Sequence, residues 1–292
     1  MDTSIKNGII NMLIASIFFS LVGAIVKLLS PNLDSVEIVF FRNILGVIII
    51  TYSIYKKPLS QEGGRFILLT LRGLIGFIAL LMYFYNITKI PLAEAMTFSK
   101  ASPLFSAIFA FFWLKEKLSL KAWFGIMLGF FGVLMITGFN LDNLSKNDWL
   151  GIFCALGAGL AYTTIKKLSL YYEGRAIVLS FMIIGTLGPL ILMVLGNFYH
   201  SKEFDFILSP FIMPKGIEWI YILFLGIFAT CAQIFMTKAY FSTKVGIIGT
   251  ISYSNIIISI FLGTLLGDAI PNFFVLSGIA LIIFSGYLVS RK

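Results

Sequence analysis

The sequence predicts an all-α polytopic membrane protein: ten transmembrane helices as two inverted five-helix repeats, with both termini cytoplasmic. Composition, the length of the apolar runs and the placement of positive charge predict it. Of 292 residues, 59% are hydrophobic and 12% charged, and the mean hydropathy of +0.98 lies outside the range of soluble domains. The formal charge of +9 does not indicate nucleic acid, because the lysines and arginines stand singly between apolar runs rather than on one polar face.

A bilayer core about 30 Å thick needs about 20 helical residues to cross it. Ten runs meet that need: Gly8 to Ser30, Val36 to Ile54, Phe66 to Thr88, Pro91 to Leu114, Ala122 to Phe139, Trp149 to Ile165, Ala176 to Phe198, Ile217 to Thr237, Val245 to Leu266 and Phe273 to Val289. They are continuous, whereas barrel strands alternate apolar and polar residues. The first is too long for a signal-peptide core and is expected to be retained. Of the 22 Lys and Arg, 14 fall on the N-terminal side of the membrane, five on the other, and Arg42, Arg72 and Lys100 within spans. The positive-inside rule therefore puts both termini in the cytoplasm.

Five spans per half force two like halves, residues 1–140 and 141–292, into opposite orientations. A shift of 152 lays Lys100 to Glu116 over Ser252 to Asp268, so the acids ending spans four and nine coincide, and a shift of 140 lays Lys27 on Lys167. Such self-similarity marks inverted-repeat transporters, whose substrate sites lie near the midplane between the halves.

The stretches "FFRNILG" (span two), "LRGLIGFIALLMYFYNITKIPLAEAMTFSKASPLFSAIFAFFWLKEKL" (spans three and four) and "GIMLGFFGVLMI" (span five) resemble the first repeat of an EamA-type transporter of the drug/metabolite transporter superfamily. The second repeat is more diverged, with Asn255 in the place of Pro103 and Asp268 in that of Glu116. The resemblance implies a central cavity lined by spans one, three, four, six, eight and nine. It implies carriage of amino acids, nucleosides, vitamins, S-adenosylmethionine or xenobiotics, and the Arg-Gly and Tyr-Phe-Tyr of span three are similar to S-adenosylmethionine and riboflavin carriers.

An ionisable group inside a span is costly and is a functional candidate. Arg42 lies about 9 Å from the outer end of its helix, within reach of an ion pair with Glu94, and its expected role is structural, tying helices together or snorkelling to the interface, rather than substrate contact. Arg72 lies as deep from the inner end; it either reaches headgroups or meets an anionic group at the inner mouth. Lys100, about 13 to 14 Å down span four, is near the midplane, where it must pair with an acid, face a wet cavity or lose its proton. Glu94 stands at a helix N-terminus that favours a carboxylate, or else couples protons or recognises cations near the outer gate. Pro103 should kink span four.

The expected substrate-binding set is Lys100 with Tyr83, Phe84, Asn86, Thr97, Tyr162, Gln233, Tyr253 and Asn255. An Asn or Gln facing lipid would be unsatisfied, which favours Gln233 and Asn255. Gly125, Gly129 and Gly132 are expected to allow close helix packing, and Trp113, Trp123, Trp149 and Trp219 to anchor span ends. Cys154 and Cys231 lie in different spans and are read as packing thiols.

The lone histidine, His200, lies in a loop, and neither an HExxH motif nor a phosphate-binding loop occurs, which disfavours an enzyme and an ATP-driven pump. A non-transporting sensor is excluded only by the resemblance. The function expected is secondary transport of a small zwitterionic or aromatic metabolite, such as an amino acid or S-adenosylmethionine. Export of drugs or toxic metabolites is the alternative. No metal or cofactor is expected. The expected partners are the small-molecule substrate and the lipid bilayer, the expected state is monomer or homodimer, and the expected location is the bacterial cytoplasmic membrane.

Overall fold

The computed structural model describes residues 3–60, 63–115, 119–136, 144–199, 204–242 and 245–290. Glu116 and His200 lie outside them. The described residues form helices and contain no strand. The elements are α1 (Thr3–Leu29), α2 (Ser35–Lys56), α3 (Phe66–Lys89), α4 (Leu92–Lys100), α5 (Ser102–Trp113), α6 (Leu120–Ile136), α7 (Lys146–Leu168), α8 (Gly174–Gly196), α9 (Glu218–Ser242), α10 (Val245–Ser252), α11 (Ser254–Leu265) and α12 (Phe273–Ser290). Eight segments are long and apolar enough to span a membrane, with α4 and α5 counting as one and α10 and α11 as another; α6 and α12 are shorter apolar helices.

Apolarity is distributed according to what each span faces. The segment of α4 and α5 is among the least apolar and is two-thirds buried, whereas α1 and α8, the most apolar, are less than half buried. A span shielded from lipid by protein can carry serines, an acid and a lysine, because its polar groups find partners inside the fold. Exposed tryptophans mark span ends, with Trp149, Trp219 and Trp113 between 36% and 49% exposed.

The two broken spans break at matching points. Pro103 has no N–H to give Ser99, and the helix is interrupted at Ala101, whose carbonyl accepts a tight bond from Leu104 N–H at 3.0 Å. In the second half the interruption falls at Tyr253, 152 residues on, where Ile256 N–H donates to Tyr253 O at 2.9 Å. No proline stands there. Ser252 and Ser254 instead turn their hydroxyls back onto the carbonyls of Gly249 and Ile251, at 2.7 and 2.8 Å, which competes with the backbone ladder.

Packing between the halves is reciprocal in kind. Helix α1 lies against α9 as α3 lies against α7; α1 meets α11 as α7 meets α5, α4 meets α11 as α10 meets α5, and α2 packs on α8 and α6 on α12. The α6–α12 contact is made through glycines. A Cβ on Gly132 would stand 2.8 Å from Gly278 O, and one on Gly278 would stand 2.6 Å from Gly132 O. Backbone cannot retreat as a flexible side chain can. Gly132→Val should therefore lower stability by about 1–3 kcal/mol, read as a lower melting temperature in detergent, whereas Phe124→Ala on the exposed face of the same helix should change it by less than about 0.5 kcal/mol.

Candidate functional site

A cavity of about 60 Å³ lies where the two halves meet. Helix α1 supplies Phe19 and Val22; α2 supplies Arg42; α3 supplies Arg72, Tyr83 and Phe84; α4 ends on Ser99 and Lys100. From the second half come Cys154 and Tyr162 of α7, Phe181 of α8, Gln233 of α9 and Asn255 of α11. The break after Lys100 ends α4 at the cavity wall.

The three intramembrane cations thus converge. Arg42 and Arg72 are each 1% exposed and Lys100 is 7% exposed. Phe181 serves both guanidinium groups, which lie 5.4 Å (Arg42) and 4.5 Å (Arg72) from its ring centroid, and Arg42 also stands 5.9 Å from that of Phe84. The Lys100 ammonium sits 5.6 Å from the centre of the Phe19 ring. Ring faces attract cations but accept none of their in-plane hydrogen bonds.

Arg42 is held by Asn43, whose side-chain oxygen accepts from Arg42 Nη1 at 2.7 Å and whose amide nitrogen donates to Val39 O at 2.8 Å and to Gly185 O at 3.0 Å across to α8. Beyond that bond, Arg42 Nε and both Nε and Nη1 of Arg72 are buried without an acceptor.

Of the two structural roles expected for Arg42, snorkelling to the interface does not fit this geometry. Its guanidinium is sealed within the bundle, and no Arg42–Glu94 ion pair forms among the described residues. Glu94 is half-buried and lies off the cavity, as does Pro103, which sits in the wall behind it, where a Cβ on Gly249 would be 2.7 Å from the proline ring. Arg72 does not reach the headgroups.

Of the expected substrate-binding set, Lys100, Tyr83, Phe84, Tyr162, Gln233 and Asn255 line the cavity. Asn86 turns away to donate to Asn147 O at 3.0 Å, and Thr97 bonds back to Ala93 O at 2.6 Å. Tyr253 is buried outside the lining, against α12. Asn255 is divided in use: its amide nitrogen donates to Ser16 O and Ser20 Oγ, at 3.0 and 2.7 Å, which leaves its oxygen without a donor. Asn43, Phe181 and Cys154 were not among the expected set. Asn43 had a signal in its intramembrane amide next to Arg42; Phe181, one of 30 phenylalanines, had none.

One end of the bundle is fastened across the halves. Lys27 of α1 pairs with Asp268, just beyond α11, while the second oxygen of Asp268 accepts from Leu92 N–H at 2.8 Å. The carboxylate therefore caps the N-terminus of α4, where the macrodipole favours it. Nearby, Asp205 pairs with Lys146 and accepts from Tyr85 Oη at 3.0 Å through both oxygens. At the opposite end, Arg175 Nη1 donates to Ser53 O at 3.1 Å and Lys57 O at 2.6 Å, and Glu173 accepts from Ser60 N–H at 2.7 Å. Contacts between the halves thus occur at both ends of the bundle.

A bundle of membrane-spanning helices with a cation-lined cavity between two like-packed halves belongs to the class of polytopic membrane transporters, and comparison with known proteins bears this out. The EamA-like transporter family model matches twice, over residues 6–138 and 145–291, and the chain belongs to that family. An uncharacterised transporter of Helicobacter pylori is 31% identical over 99% of this chain and 96% of its own length. The pseudopaline exporter of Pseudomonas aeruginosa is 29% identical over 98% and 97%. A solved crystal structure superposes with a TM-score of 0.70 at 16% identity, covering 99% of this chain and 98% of its own, which shows the shared fold.

Asp205 supplies a pH signature. Partial burial works to raise its carboxyl, but hydrogen bonds from Lys146 and Tyr85, with the charges of Lys146 and Lys89, outweigh it and hold the group below its ordinary value. A depressed folded-state value contributes stability above the unfolded carboxylate value of about 3.9, and this is lost as pH falls through the lower, folded one. Since Asp205 is 43% exposed, the effect is small. Asp205→Asn should lower the melting temperature by at most about 2–4 °C at pH 7, with the gap constant down to about pH 5 and closing below about pH 4.

Proposed function

We propose that the protein is a secondary transporter of the bacterial cytoplasmic membrane that moves a small organic metabolite by alternating access. It has ten spans in two inverted repeats, residues 1–140 and 141–292, with both termini cytoplasmic. The reciprocal packing, the helix breaks 152 residues apart, the double family match and the charge bias of the loops support that topology. On this orientation the Lys27–Asp268 end faces outward.

The observation that carries the mechanism is the size of the cavity, set against the contacts that tie the halves together at both ends of the bundle. About 60 Å³ holds a few waters, whereas a site enclosing an organic metabolite takes about 300 Å³ or more. Loading and release therefore require one end to open. Rocking of the halves about the helix breaks supplies that motion without ATP, and the Lys27–Asp268–Leu92 contact is the outer latch. The near full-length likeness to a protein named as an exporter favours export. S-adenosylmethionine, whose sulfonium is a cation, suits a cavity with three cations less well than a metabolite whose charge is a carboxylate.

Cys154 gives a native reporter, being 2% exposed and on the cavity wall. In a Cys231→Ala background, a membrane-impermeant maleimide added from outside should label Cys154 slowly, and Asp268→Asn should speed labelling at least fivefold by releasing the latch. Identical labelling rates with and without the substitution would remove the gate. In proteoliposomes, Lys100→Ala should keep its fold and lose at least tenfold in counterflow of the transported compound; full retention would take Lys100 out of the binding set.

A further inference from the structure

We infer that the transported compound is a dianion, a short-chain organic acid carrying two carboxylates; this rests on the transporter reading above and narrows it. The cavity is lined by Arg42, Arg72 and Lys100 and by no carboxylate among the described residues. The ion pairs Lys27–Asp268, Lys146–Asp205 and Arg175–Glu173 lie at the ends of the bundle.

Charges this deep need counter-charge or hydrogen bonds from outside their own set, since an uncompensated buried ion costs several kcal/mol. The protein provides little of either. Three guanidinium N–H positions, on Arg42 Nε and on Arg72 Nε and Nη1, are buried without an acceptor. Each is a donor that a carboxylate oxygen can meet, Nε as one arm of a side-on fork and Nη1 as one arm of an end-on fork, with Nη2 as the other arm in both.

A single carboxylate would leave at least two of the three positive charges unanswered, so the charge count favours two carboxylates. Their spacing is set by the arginines. Arg42 enters from the Lys27 end of α2 and Arg72 from the opposite end of α3, so the guanidinium groups arrive from two directions. Both flank the Phe181 ring, at 5.4 and 4.5 Å from its centroid, which leaves no more than about 10 Å between them. Two carboxylates at the ends of a short carbon chain can meet both groups within that limit. The rings of Phe19, Phe84 and Tyr162 border the space between and suit the chain's apolar middle. Gln233 Oε1 and Asn255 Oδ1, both buried without a donor, can accept from a hydroxyl or ammonium substituent.

The test uses full-length protein at matched ionic strength, first in detergent and then in proteoliposomes. Succinate and glutarate should raise the melting temperature and drive counterflow, while their diamides, equal in shape but uncharged, should compete at least tenfold more weakly. That comparison needs no variant. Arg42→Gln and Arg72→Gln, where folded, should each raise the half-saturating dicarboxylate concentration at least tenfold, with Arg72→Lys restoring part of the loss. Counterflow of leucine that neither dicarboxylate inhibits overturns the assignment and leaves the transporter reading standing. Inorganic phosphate competing at lower concentration than either diacid overturns it too. If no compound exchanges but Cys154 labelling still responds to Asp268→Asn, the dicarboxylate assignment falls alone; if labelling is also unresponsive, both readings fall.

Discussion

Three positive charges held together at the centre of an apolar bundle are the constraint around which the rest of the structure is arranged. Lipid cannot solvate a guanidinium, and the described residues place no acid beside these, so protein must do what it can around them. It does so with rings and amides. Phe181 lies beside both arginines, Phe84 adds a second ring to Arg42, and Asn43 holds Arg42 while bonding across to the carbonyl of Gly185. The α2–α8 contact thereby becomes part of the site. A Cβ on Gly185 would meet the Asn43 side chain at 2.6 Å, so a larger residue there would move the amide that positions Arg42.

The same need for internal partners explains how the two broken spans differ. An interruption at membrane depth leaves backbone groups that must be met inside the protein. In the first half the break follows from a missing N–H at Pro103. In the second it is made by serines that occupy carbonyls, and Asn255, in the position corresponding to Pro103, ties the break to α1 through Ser16 and Ser20. Two different local chemistries produce one geometry. A matching pair of bends is therefore compatible with sequences that have diverged at the residue causing the first one.

The pattern of long apolar runs made nearly every helix legible in the sequence, because hydrocarbon thickness imposes one length scale on all of them. Pro103 disclosed the break in span four for a local steric reason. The break at Tyr253 was not legible, since Ser-Tyr-Ser-Asn is compatible with an unbroken helix until the side-chain rotamers are known. Lys100 stood out because depth along a single helix follows from counting residues. The same counting left Arg42 open between tying helices together and snorkelling: an arginine is long enough to point inward from that depth, and direction around the helix depends on neighbours distant in sequence. Asn86 and Thr97 failed for a related reason. Each is polar and on a cavity helix, yet each found a carbonyl elsewhere, and an intramembrane polar residue satisfied by backbone has no need of the cavity.

Charge and closure are linked through α4. Its N-terminus is capped by Asp268 of the other half, and its C-terminal residue, Lys100, lies in the cavity wall, so one nine-residue helix touches both the latch and the site. Under the transport cycle proposed above, an anion held among the three cations would offset their mutual repulsion, and a shift of Lys100 toward it would be felt at the Asp268 cap, because movement of one end of a short rigid helix is carried to the other. The cycle would need that anion to bind the open and closed forms unequally, since a substrate interacting equally with both could not move a gate.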